Sequence, residues 1–259
     1  MNSTLLLKVV VTPLLIAAAT LAGRRWGDRL SGWLVGLPLT SGPVVFFLAI
    51  DNRPRFATTA ALAVLLGTIS QAGFALAYAR LALRAGWPVA TAAGCAVFGL
   101  STIGFQRLSL PALPAFALVT ASLILATMLM PQSRPADRRA PASRWDLPLR
   151  IVVATGLVLL LTGIAPTIGA HLTGLLSPFP VYAGVLAIFA HRRCGDAAVN
   201  VLRGLLLGLF SFAAFFVLLA LGLNRIGIGL SFVLATATAL VIQGLTLRAI
   251  RGAGDSGLP

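Results

Sequence analysis

Gly36-Leu37-Pro38-Leu39-Thr40-Ser41-Gly42-Pro43 stands inside an otherwise apolar run, and the reading of this stretch decides the fold. Two prolines five residues apart, with Thr40, Ser41 and Gly42 between them, do not sit in a straight helix. Each proline removes a backbone donor, and its ring crowds the carbonyl four residues back. In lipid such a break persists only where it is buried in protein or lines a wet cavity. A second break, Leu175-Leu176-Ser177-Pro178-Phe179-Pro180, follows about 140 residues later. Paired interruptions in corresponding hydrophobic segments of two halves point to a transporter's central site.

Outward from these breaks the chain is apolar almost throughout. Its 259 residues are 58% hydrophobic and 10% charged, with a mean hydropathy of +0.97, outside the range of soluble globular domains. A bilayer core takes about 20 apolar residues per helix. The expected fold is therefore an all-α polytopic membrane helix bundle of about nine spans. They fall near residues 5–23, 31–50, 57–79, 88–105, 110–130, 149–166, 172–190, 197–222 and 227–247. The first could be taken for a signal peptide, but Lys8 lies too deep in it and hydrophobic segments follow, so it reads as a retained helix.

A net charge of +14 would suggest nucleic acid in a soluble protein. Here the arginines lie between apolar runs and report topology instead, so nucleic acid is not an expected partner. With the N-terminus outside, the outer regions hold Lys8, Arg53, Arg55, Arg107 and Arg225, and the other fifteen of the twenty basic residues lie inside. That asymmetry predicts a bacterial inner-membrane protein with its C-terminus in the cytoplasm. Cys95 and Cys194 offer neither a disulfide framework nor a zinc site. No metal or cofactor is expected.

An internal duplication is the next expectation. Leu7-Lys8-Val9-Val10-Val11 echoes Leu149-Arg150-Ile151-Val152-Val153, an offset of 142. At that offset Pro38 meets Pro180 and Gly42 meets Gly184; one residue of slippage then sets Gly67 on Gly208, Ser70 on Ser211 and Phe74 on Phe215. The implied organisation is a four-helix repeat over 1–109, a linker helix and cytoplasmic loop over 110–148, and a second four-helix repeat over 149–259. Five crossings separate each equivalent pair, so the repeats insert with opposite orientation.

The stretch Gly174-Leu-Leu-Ser-Pro-Phe-Pro-Val-Tyr-Ala183, with Val201-Leu202-Arg203 beyond it, resembles the small GlpM-like inner-membrane proteins. These are four-helix proteins with a similar Gly-Leu, Pro, Phe-Pro, aromatic-Ala run after their first helix. The likeness covers about 70 residues, and its proline spacing departs by one position. The first half keeps only the Gly-Leu-Pro and Ser-Gly-Pro skeleton. The resemblance implies two fused copies of such a unit and names no substrate.

All six acidic residues are aspartates, at Asp28, Asp51, Asp137, Asp146, Asp196 and Asp255. All fall in loops or at helix ends, as do His171 and His191, so no buried carboxylate relay for protons is expected. Arg203 lies a turn or more inside its span. It either snorkels to the cytoplasmic interface or serves as a counter-charge for an anionic solute. The candidate substrate-binding residues are Pro38, Thr40, Ser41, Gly42, Pro43, Gln71, Ser177, Pro178, Pro180, Arg203 and Gln243. The plainer readings are back-bonding to their own helices for the serines and threonines and interhelical bonds for Gln71 and Gln243. No His-Glu-x-x-His, Gly-x-Ser-x-Gly or P-loop is present, so no catalytic residue is nominated.

The expected function is a secondary-type transporter or facilitator for a small neutral or anionic solute. Its expected partners are the lipid bilayer, that solute, and a second copy of the chain or another membrane protein. A non-transporting accessory or scaffold protein is the alternative. A third reading, an intramembrane enzyme, would rest on Asp51 with Arg53 and Arg55.

Overall fold

The computed structural model describes residues 36–52, 54–133 and 146–255, with Val10 and Leu14 besides. The expected span 5–23, the start of the second span, Arg53 and the Arg/Pro-rich segment 134–145 lie outside the described residues. Among the described residues all regular structure is helical: α1 (Ser41–Asp51), α2 (Pro54–Ala82), α3 (Trp87–Phe105), α4 (Ala112–Met128), α5 (Asp146–Leu176), α6 (Val181–His191), α7 (Gly195–Gly222) and α8 (Ile228–Asp255). Five of them, α2, α3, α5, α7 and α8, are long and apolar enough to cross a membrane.

The starts of these helices follow from their residues. Pro54 opens α2 and Pro88 sits in the first turn of α3, where a missing N–H costs nothing. Pro111 caps α4 in an extended conformation. The prediction for 149–190 needs one amendment. A single helix, α5, runs through 149–166 and on to Leu176, and its only non-helical residue is Gly169 at φ 80. Without a Cβ, glycine takes that positive φ at no steric cost, so the expected loop shrinks to one kinked residue.

The core lies around α2 and α7, which pack against each other and are buried along most of their length. α4 rests on both through Ala115, Val119, Leu123 and Ala126, and turns Leu113, Leu125 and Met128 outward. α3 lies on α2 through a stripe at every fourth residue, Ala90, Gly94, Phe98 and Thr102. α8 lies on α7 through Ser231, Ala235, Ala239 and Gln243. Each member of the second stripe follows its counterpart in the first by 141 residues. The small residues let the axes approach, and the outward Leu, Ile and Val side chains suit acyl chains better than water.

α2 has 29 residues, roughly 43 Å at the helical rise, so its ends mark the two ends of the bundle. At the Ala82 end, Tyr78 Oη lies 3.3 Å from His191 Nδ1. There Arg80 donates to Leu129 O at 3.4 Å and Arg203 to Pro131 O at 2.6 Å, so both arginines hold the tail of α4. At the Pro54 end, Asn224 Nδ2 donates to Thr58 Oγ1 at 2.9 Å, and His171 Nε2 lies 3.3 Å from Phe105 O. Arg80, Arg84, Arg192, Arg193 and Arg203 thus gather at one end; Arg55, Arg107 and Arg225 sit at the other.

Candidate substrate site at the two helix breaks

Both proline stretches leave the helix, and the same backbone bonds close both turns. In the first, Leu39 N–H donates to Leu37 O at 2.7 Å and Gly42 N–H to Pro38 O at 2.9 Å. In the second, Val181 N–H donates to Phe179 O at 2.8 Å and Gly184 N–H to Pro180 O at 2.7 Å. The first break is shorter than the quoted stretch: helix resumes at Ser41, so Gly42 and Pro43 form the first turn of α1. Thr40 is its N-cap and Pro180 is the N-cap of α6, and neither supplies a side-chain bond to its helix.

The two breaks touch. Ser41 Oγ donates to the carbonyl of Ser177 at 3.0 Å, and both residues are fully buried. From this junction α1 runs 11 residues to Asp51, next to the start of α2. α6 runs 11 residues to His191, beside the end of α2. Two half-helices therefore start in the buried middle and diverge in opposite directions. A helix start carries unpaired N–H groups and the positive end of the peptide dipoles.

Each break is seated on the long helix of the other half. A Cβ added at Gly67 in α2 would lie 2.7 Å from Pro178 Cγ and 2.9 Å from Leu175 O. One added at Gly36 would run into the backbone of Gly208 in α7. A Cβ at Gly42 would lie 3.8 Å from the Phe215 ring, and one at Gly184 the same distance from the Phe74 ring. One turn from these seats, Thr102 Oγ1 donates to Ser70 Oγ at 3.4 Å, and Ser211 Oγ to Gln243 Oε1. Gln243 is therefore an interhelical clasp between α7 and α8.

Two buried polar atoms near the junction have no partner among the described residues: Ser177 Oγ and Gln71 Oε1. Gln71 is one turn beyond Gly67 on the same face of α2, and helical side chains lean back over the preceding turn. Its carboxamide thus faces the second break. Beside the first break lies a cavity of about 440 Å³, lined among others by Pro38, Gly42, Phe46, Phe215, Phe232 and Ala239. At the stripe position matching Ala239, α3 carries Phe98, which packs edge-on against Phe179 with ring centroids 5.1 Å apart.

Of the nominated residues, Pro38, Thr40, Ser41, Gly42, Pro43, Ser177, Pro178 and Pro180 come together at the junction, with Gln71 next to them. Gln243 stands on the α7–α8 side, one turn from Ala239. Arg203 is not in this group, since its guanidinium is committed to the tail of α4. Sequence reasoning missed Thr102 and the Phe98/Ala239 contrast. The 141-residue spacing held the signal for both, because it sets Thr102 on Gln243 and Phe98 on Ala239.

Helices of this length and apolarity, packed around two buried helices, are those of a helical membrane protein. Comparison with protein families, with curated proteins and with solved structures finds no match for this chain.

Proposed function

We propose that the chain is a secondary-type transporter or facilitator for a small neutral or anionic solute, bound where the two breaks meet. The observation that carries this reading is the buried Ser41–Ser177 bond, which joins two interrupted segments in the middle of the bundle. Irregular backbone at such depth is costly and is kept where it serves a site. The unpartnered Ser177 and Gln71 oxygens add a polar demand that a solute would meet.

The reading includes two fused units of opposite orientation, spans one to four and six to nine, with α4 as the linker. It is supported by the turn bonds repeated at an offset of 142, the reciprocal glycine seats, and the Ser70–Thr102 and Ser211–Gln243 clasps at an offset of 141. The opposite courses of α1 and α6 fit the same scheme. One unit rocking against the other would open the junction to each side in turn. The arginine-rich end is assigned to the cytoplasm of a bacterial inner membrane, with the N-terminus outside.

The test is flux through purified protein in liposomes loaded with a cellular metabolite extract, read by mass spectrometry. Pro38→Ala, Ser41→Ala and Pro180→Ala are each expected to slow release of the transported species about tenfold, on the order of 1.4 kcal/mol in the barrier. Unchanged release in all three would remove the site.

A further inference from the structure

We infer that the junction binds a monocarboxylate with an apolar body, the carboxylate between the two half-helix starts and the body in the adjoining cavity. This rests on the transporter reading for its purpose but not for its chemistry. The positive ends of α1 and α6 converge on a buried point that carries no fixed cation, since the described arginines stand at the bundle ends or, like Arg203, bind a carbonyl there. A helix start favours negative charge. A single charge without a counter-ion is the most such dipoles can be expected to hold in a desolvated site.

The Ser177 hydroxyl is fully buried and unpartnered, and it sits against the first turn of α1 and three residues ahead of the α6 N-cap. It can donate to a carboxylate oxygen. The Gln71 side chain is 6% exposed and its Oε1 lacks a partner; turned end for end, the carboxamide offers N–H donors to the same ligand. The cavity begins at this first turn, where Pro38, Leu39, Gly42 and Pro43 line it. Its remaining wall is largely aromatic, and its volume of about 440 Å³ is in the range of small-ligand sites. Ala239 leaves this space open, whereas Phe98 fills the matching position against Phe179.

The probe is benzoate, titrated by calorimetry at pH 7.5 into the full chain in lipid nanodiscs, with acetate and benzyl alcohol alongside. Benzoate is expected to bind, acetate at least tenfold more weakly, and benzyl alcohol not measurably. Ser177→Ala is expected to raise the benzoate Kd about tenfold, the value of one hydrogen bond to a charged group. Ala239→Phe should abolish the preference of benzoate over acetate while leaving acetate binding unchanged. Should Ala239→Phe fail to fold, Phe232→Leu widens the same wall and should weaken benzoate alone. Equal binding of benzoate and benzyl alcohol, or benzoate binding indifferent to Ser177→Ala, overturns the inference. Benzoate binding without flux of any solute would instead strike the transporter reading and leave the site standing. Flux without benzoate binding would do the reverse.

Discussion

His191 ends α6 at the arginine-rich end, with Nδ1 3.3 Å from the hydroxyl of the buried Tyr78. Partial burial pushes its pKa below the ordinary imidazole value, and a backbone bond at Ala85 opposes the shift only in part. The neutral form is therefore favoured in the folded chain. A base with a lowered folded pKa adds stability above its unfolded value, about 6.5, and that stability drains away as pH falls through it. Thermal unfolding in detergent should show the native chain losing stability between pH 7.5 and pH 5. His191→Gln should flatten that slope; an unaltered slope would place the titrating group elsewhere. At this scale the sequence was partly readable. Ser41, Ser177 and Gln71 stood out as polar residues in apolar runs, because lipid makes every such residue need a partner. Which partner each one finds was not readable. The Arg203 guanidinium reaches a carbonyl 72 positions away in sequence, and nothing in local spacing encodes that reach.

Between elements, close approach at glycine is the recurring device. The seat of the second break on α2 leaves no room for a methyl group at Gly67, where the obstructing atoms include the Leu175 carbonyl oxygen. Backbone cannot swing aside as a flexible side chain can. Gly67→Ala should destabilise the chain by about 1–3 kcal/mol, as overpacked interiors do. Gly99 in α3 has nothing within 4 Å of an added Cβ, and Gly99→Ala should be neutral or gain about 0.5–1 kcal/mol from helix propensity. Denaturant titration of both variants in one detergent separates the cases. Gly67 and Gly208 were legible as small positions in long spans because their contrast with bulky neighbours is a property of sequence. The one-residue kink at Gly169 was not. Its neighbourhood reads as a loop or as a glycine-tolerant helix equally well, and packing decides between them.

Over the whole molecule, the proposed topology places Cys194, exposed beside Arg192 and Arg193, on the cytoplasmic side and Arg225 on the other. In spheroplasts of a strain carrying Cys95→Ala, an impermeant maleimide should leave Cys194 unmodified until the cells are opened. Arg225→Cys, introduced with Cys194→Ser, should react at once. Reversal of the two results inverts the orientation, and equal reactivity denies that these residues mark opposite ends. The helical class and the two breaks were visible from hydropathy and proline alone, whereas the cavity was not, because volume is a property of facing surfaces. The reciprocal seating of each break on the partner half's long helix has a last consequence. Neither half contains the surface on which its own interrupted segment rests, so a gene cut within codons 134–145 should yield two fragments that are degraded when made singly. Made together, they should protect one another and co-purify through a tag on either piece.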